Sequence, residues 1–300
     1  MRVALVLGAG GARGYAHLGV VEELRERGHE IVAVAGTSMG ALVGGLVAAG
    51  RDEEFATWVR TLTQRGVLRL MDPAGFTEPG AVRGNRVIEK IDGILGELQI
   101  EELPIPFTAV AADLTTRREV WFQRGPLTAA IRASIAIPGA LTPVAMGGRL
   151  LVDGGILNPV PVEPVLSVDA DFTVAVDLAA QDALERAVGG SPVREEADVA
   201  GDTRSWLSRI GFAARDRETA AEKKAARRNP DTDPGAFDVM MKSFETMQEA
   251  MARYRVAANP PDVLVPVPLR SARTMDFHRA EELIGLGRRL AAEHLDAAGH

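Results

Sequence analysis

The chain has 300 residues, 46% hydrophobic and 25% charged, with a formal net charge of -7 and no cysteine. That length buries a large core as one domain, or as one domain carrying an insertion. The acidic balance argues against a general nucleic-acid binder, and the lack of cysteine excludes disulfides, thiolate metal sites and a cysteine nucleophile.

Val3 to Leu7 is a short, branched, wholly apolar run that predicts a buried strand, stopped by "GAGGARG". It is too short for a signal peptide, and no apolar run in the chain reaches the roughly 18 to 20 residues that span a bilayer. A soluble cytoplasmic protein is the default expectation. "YAHLGVVEELRERG" predicts a helix with Leu18, Val21 and Leu24 on one face and Gly28 as its stop. Ile31 to Ala35 predicts a second buried strand, followed by "GTSMG" and a helix from Ala41. Strand, glycine loop, helix, strand, turn, helix implies a parallel sheet with a right-handed crossover. Both glycine-rich turns then lie at the carboxyl edge of that sheet, where open α/β folds place their sites.

Residues 51 to 104 read as mostly helical, broken at "MDPAGFTEPG". "FTAVAADL" and "EVWF" predict strands, "LTAAIRASIAIPG" a helix ending near Pro138, "RLLV" a short strand running into Asp153, and "DFTVAVDL" another buried strand. The composition then shifts to acidic and afterwards basic stretches poor in large apolar groups. Residues 182 to 235 are therefore expected to form a flexible or loosely helical insertion within a single domain spanning residues 1 to 300. "FDVMMKSFETMQEAMARYRV" predicts an amphipathic helix, "DVLVPV" a last strand, and Phe277 to Leu295 a closing helix.

"LGAGGARG" fails as a nucleotide loop. The dinucleotide fingerprint needs glycines at its first, third and sixth positions, but counting from Gly8 the sixth is Arg13. The second strand ends in Gly-Thr-Ser where that fold carries an acid, and no Gly-Lys-Ser/Thr follows. An oxyanion hole suits such a loop better, because consecutive glycines let backbone N–H groups converge on one point. Gly36-Thr37-Ser38-Met39-Gly40 has the spacing of a nucleophile on a strand-to-helix turn.

Ser38 needs a proton acceptor. Of the five histidines, His29 lies at the opposite sheet edge, His294 and His300 at the chain end, and His278 is the triad candidate by chain order. His17 falls just after the glycine loop, where a hydrogen bond to backbone explains it. Asp153 is the better candidate: it ends a strand, and Gly154 and Gly155 allow its turn to approach another loop closely. A carboxylate in reach takes the serine proton directly. "DGG" is equally the signature of an Asx-turn. Asp113, also at a strand end, is read as a loop brace.

"LGAGGARGYAHLGVVEEL", "GTSMGALVGG" and "AIRASIAIPGALTPV" with "LLVDGGILNPVPV" together resemble the bacterial patatin-like phospholipases over most of the chain outside the insertion. The resemblance implies a three-layer α/β/α fold with a mainly parallel central sheet. It implies hydrolysis of acyl esters in phospholipids or lysophospholipids by a Ser-Asp dyad, with no metal or cofactor. Residue by residue, Ser38 matches the nucleophile and Asp153 the base. Gly10, Gly11 and Ala12 match the oxyanion loop, and Arg13 and Gly14 its basic residue and last glycine. Gly36, Gly40, Gly154 and Gly155 match the glycines of the other two blocks. The chain departs from the pattern at Ala9, where the family usually has glycine. Arg13 either braces the loop or attracts a phosphate head group, the brace being preferred. The competing readings are a histidine-triad esterase using His278 and a non-catalytic lipid-binding or regulatory protein with this fold. Trp206, Leu207, Ile210 and Phe212, close to arginines in the 186 to 234 stretch, suit a helix packed on the domain or on a partner, a lid over the site, or a transient contact with a membrane surface.

Overall fold

Strand β1 (Arg2–Leu7) alternates its side chains between two buried faces, and the layers of the molecule follow from that alternation. Val3, Leu5 and Leu7 face the larger apolar cluster, whereas Ala4 and Val6 face a smaller one. The computed structural model describes residues 1–70, 85–180 and 236–300. The chain divides into two compact units, Met1–Asp182 with Lys242–His300, and Ala183–Met241. The sheet and the candidate site lie in the first. The "MDPAGFTEPG" break and the proposed insertion, with its Trp206 segment, lie outside the described residues.

In the eight-stranded sheet, β1 lies between β2 (Glu30–Thr37) and β7 (Phe172–Ala180), parallel to both. Next to β2 runs β3 (Phe107–Asp113), also parallel, and β8 (Val263–Pro268) continues the parallel set beyond β7. Helices α1 (Ala16–Glu26) and α2 (Met39–Ala48) follow the first two strands. The α1 crossover ends at Gly28, whose φ of 73° is the left-handed stop expected of it. The first layer continues with α3 (Asp52–Arg60), α4 (Gln64–Leu70), α5 (Asn85–Leu95) and α6 (Leu127–Ser134). Helix α7 (Ala236–Ala258) contributes Ala252 to the second face, against Ala33, Ala35 and Ala175, and α8 (Ala280–Ala298) packs on α1 in the larger cluster. Small side chains on that second face let the covering segment Val160–Val165 lie close to the sheet.

Three strands depart from the parallel pattern. β4 (Arg118–Phe122) returns antiparallel along β3, and β5 (Val144–Met146) with β6 (Arg149–Asp153) forms a hairpin whose second strand pairs antiparallel with β3. The short β5 is not legible in the sequence, being three residues of mixed exposure. The predicted helix over "LTAAIRASIAIPG" stops at Ser134, four residues short of Pro138. Proline disfavours helical backbone in the residue before it, and ending early frees the Ala136 carbonyl, which accepts the Asp153 N–H at 2.9 Å.

Candidate active site

β2 ends at Thr37, whose buried hydroxyl donates to the Asn158 carbonyl at 2.8 Å. Ser38 then turns the chain sharply into α2 with φ 57° and ψ -122°. A non-glycine residue held there costs roughly 1–3 kcal/mol, and the surroundings enforce it. A methyl group at Gly36 would collide with the Gly40 backbone, and one at Gly40 with the Leu7 carbonyl. Strand and helix therefore approach as only glycines permit. The Ser38 N–H donates to Ser134 Oγ at 2.9 Å, and the Ser134 hydroxyl donates in turn to the Val110 carbonyl at 2.6 Å.

The sheet register brings Asp153 to this turn. Ala109 and Val110 pair with β2 on one edge of β3 and with β4 on the other, while Ala111 to Asp113 pair with β4 and with β6. Since a strand has two edges, β6 must take over the edge that β2 leaves. Thr37 sits opposite Val110 and Asp153 opposite Ala111, consecutive residues of β3. A serine at the end of β2 and an aspartate at the end of β6 thus meet across about a hundred residues of chain.

Asp153 is wholly buried. Its Oδ1 accepts the Gly155 N–H at 2.8 Å, so the Asx-turn is real. Its Oδ2 is buried with no hydrogen-bond partner among the described residues. Burial pushes the carboxyl up to about 7, against the opposing pull of the nearby Ser38 hydroxyl and the Gly155 amide. The Ser38 hydroxyl thus acts on the carboxyl as a hydrogen-bonding neighbour that falls short of full hydrogen-bond geometry. Such bonds are often loose before substrate arrives. At Gly154 a methyl group would strike the Val110 carbonyl, and at Gly155 the Gln248 side chain.

The glycine loop lies over the same sheet edge. Gly11 has φ 57°, and space for a side chain there is taken by Thr274. The Gly8 and Ala9 amides are used by Val176 and Pro159 carbonyls, and the Ala12 amide donates to the Thr274 carbonyl at 2.9 Å. Among the described residues this leaves the Gly10 and Gly11 N–H groups without a backbone partner. Ala12 thus has another engagement than the one expected from its position in the motif. Arg13 is buried, donating to the Leu178 and Ala272 carbonyls at 2.9 Å each, with Glu245 3.7 Å away. That is the bracing role. Gly14 abuts Met39, where a side chain would collide.

His17 Nε2–H donates to the Gly8 carbonyl at 2.8 Å, and burial lowers the imidazole to about 4. No hydrogen bond joins any histidine to Ser38 or Asp153 among the described residues. Asp113 braces its turn, accepting from the Thr115 N–H and Thr116 hydroxyl at 2.8 Å each. No group of three or more His, Asp or Glu side chains among the described residues is placed to hold a metal ion, and no described helix is long and apolar enough to cross a membrane.

Nothing in the sequence singles out Ser134 or Asn158. Asn158 links Thr37 to the aspartate turn and donates to Glu119 and Glu163 at 3.1 Å each, and Arg255 of α7 pairs with both acids. Polar residues with 0% exposure are the available signal, and burial is visible only in three dimensions. Ser38, Met39 and Gly11 also line an apolar cavity of about 140 Å³. Its wall continues over Tyr15, Leu42, Phe55, Trp58 and Ile88. Phe277 reaches that wall, but His278 does not line it.

The patatin-like phospholipase family model matches residues 5–166, which hold the glycine loop, the serine turn and the aspartate turn. An uncharacterized NTE family protein of Mycobacterium tuberculosis is 44% identical over 99% of this chain and 92% of its own length. Patatin-like phospholipase domain-containing protein 6 of Mus musculus is 34% identical over 60% of this chain and 14% of that protein. Among solved structures, VipD from Legionella pneumophila shares the fold, with a TM-score of 0.52 at 14% identity over 99% of this chain and 67% of VipD. A strained serine, a buried aspartate and a glycine loop at one sheet edge, together with these matches, lead to one conclusion: the chain belongs to the patatin-like phospholipase family.

Proposed function

We propose that the chain hydrolyses acyl esters of phospholipids or lysophospholipids through a Ser38–Asp153 dyad. The observation that carries this reading is the unpartnered Asp153 Oδ2 buried beside a strained Ser38. Ionised Asp153 takes the Ser38 proton as Ser38 Oγ attacks the ester carbonyl carbon. The Gly10 and Gly11 N–H groups stabilise the oxyanion, helped by the amino-terminal end of α2. The intermediate collapses to an acyl-serine as Asp153 returns the proton to the leaving alcohol. Water then attacks the acyl-serine with Asp153 again as base, releasing the fatty acid and restoring the hydroxyl.

Ser38→Ala is expected to lose both ester hydrolysis and covalent labelling by a fluorophosphonate. Fatty acid release from a mixed lipid extract, compared between the two proteins, identifies the substrate. Labelling or hydrolysis that survives in Ser38→Ala would remove the dyad from the mechanism.

The apolar cavity supports a long acyl chain as the bound portion. Leu42 lies one helical turn beyond Ser38 and lines it. Leu42→Trp should spare acetyl and butyryl esters while reducing hydrolysis of long-chain esters. Excluding two methylenes, at about 0.8 kcal/mol each, lowers relative kcat/KM roughly tenfold. A chain-length series of p-nitrophenyl esters measures it, and an unchanged profile would place the acyl chain elsewhere.

A further inference from the structure

Two hairpin tips stand beside the dyad, and their chemistry differs from that of the chain as a whole. The β3–β4 connection runs Leu114-Thr115-Thr116-Arg117, with Arg118 opening β4, and all five residues are exposed. The β5–β6 turn is Gly147-Gly148, with φ 57° and 75°, the tight two-glycine turn that suits a twisted hairpin. Arg149 and Leu150 follow, both exposed. The Leu114 N–H donates to the Leu150 carbonyl at 2.9 Å, so the tips form one surface.

Leu114 is 47% and Leu150 41% exposed, unusual for leucines beside each other at a strand end. Around them are Arg117, Arg118 and Arg149. The first two have no carboxylate partner among the described residues, and Arg149, 55% exposed in its side chain, lies 4.0 Å from Asp113. Asp113 is itself buried and committed to Thr115 and Thr116, while the next acid, Glu119, pairs with Arg255. Three arginines with two bare leucines thus interrupt a chain of net charge -7.

The position matters as much as the composition. Ala111 pairs with Asp153, and the tips lie three residues beyond that pair on each strand. At a strand rise near 3.3 Å they project about 10 Å past the catalytic carboxylate, at the sheet edge where Ser38 turns.

We propose that this double tip, Leu114 and Leu150 within Arg117, Arg118 and Arg149, docks the protein on anionic phospholipid membrane, setting the Ser38 edge against the lipid. The proposal deepens the acyl-hydrolase reading and rests on it for its purpose. The leucines enter the interface while the arginines meet lipid phosphates, and an acidic protein needs such a local patch to approach a negative surface at all.

The test uses the full chain carrying Ser38→Ala, so that vesicles stay intact. It is floated with phosphatidylcholine vesicles with and without about one-third phosphatidylglycerol. The parent should bind the anionic vesicles and not the neutral ones, and should detach as salt approaches about 1 M, where the Debye length is about 3 Å. Adding Arg117→Gln, Arg118→Gln and Arg149→Gln together should weaken binding on the order of a hundredfold, since each arginine near an anionic surface is worth about a factor of five. Leu114→Gln with Leu150→Gln should weaken it roughly tenfold. The same substitutions with Ser38 intact should leave hydrolysis of a short soluble ester unchanged, which shows the fold is kept. Binding that persists in the triple arginine variant, or that is equal on neutral vesicles, overturns the proposal. Absence of any ester hydrolysis by the wild type would instead fail the hydrolase reading, and the flotation result would be unaffected by it.

Discussion

Asp153→Asn is expected to lower ester hydrolysis by about 10³- to 10⁴-fold and, above neutral pH, to make the protein more stable. Loss of activity follows because an amide cannot accept the Ser38 proton. The stability gain follows from linkage. Burial raises Asp153 to about 7 in the folded state, whereas an unfolded carboxyl sits near 4. Between those values the folded protein holds a proton that the unfolded chain has released, so stability falls as pH rises through the window. Above about 7 the whole cost of a buried carboxylate is present, on the order of a few kcal/mol. Asparagine keeps the Gly155 N–H acceptor and never ionises. Denaturant unfolding should find the variant close to wild type near pH 4 and more stable near pH 8. The wild-type pH profile should show the matching limb. Hydrolysis of a soluble ester rises about tenfold per pH unit below 7 and levels above it, because the ionised carboxyl is the active form. Equal stabilities near pH 8, or a flat profile through 7, would contradict a buried, proton-accepting Asp153.

Both halves of that prediction, and their pairing as nucleophile and proton acceptor, come from residues visible in the sequence, but the route by which they meet does not. Ser38 and Asp153 each end a recognisable strand, and the resemblance to the family pairs them again. What joins them is that β6 replaces β2 along one edge of β3, a register between strands far apart in sequence. Local pattern shows that Val3 to Leu7 is buried on both faces, since the run is continuous. It does not show which strand runs antiparallel: "EVWF" and "RLLV" look no different from parallel strands.

The glycine loop shows the same division. The need for glycine at Gly11 is readable from the motif and agrees with its φ of 57°. The destination of each amide is not readable, because it depends on Thr274, more than 260 residues later, whose carbonyl takes the Ala12 N–H. Ser134 and Asn158 are likewise ordinary polar residues until the sheet closes over them. Periodicity reports which face is buried. Only the assembled fold reports which polar atoms are left without a partner, and beside Ser38 one of them is Asp153 Oδ2.

Gly40→Ala is expected to cost more than about 3 kcal/mol of stability and to abolish ester hydrolysis, although alanine is the better helix former. The added methyl group would overlap the carbonyl of Leu7 in β1 and crowd that of Gly8. Both are backbone atoms at the carboxyl end of β1, so no side chain can rotate away. α2 must move off β1, and Ser38 at its first turn moves with it. Gly93→Ala supplies the contrast. Gly93 also lies in a helix, α5, but nothing stands within 4 Å of the space its methyl would occupy. There only helix propensity changes, and stability should rise by up to about 1 kcal/mol with activity kept. The same substitution in two helices should thus change stability in opposite directions, read from urea midpoints of the two variants against wild type. A Gly40→Ala protein with wild-type stability and activity would mean that α2 does not sit against β1 as closely as the nucleophile turn requires.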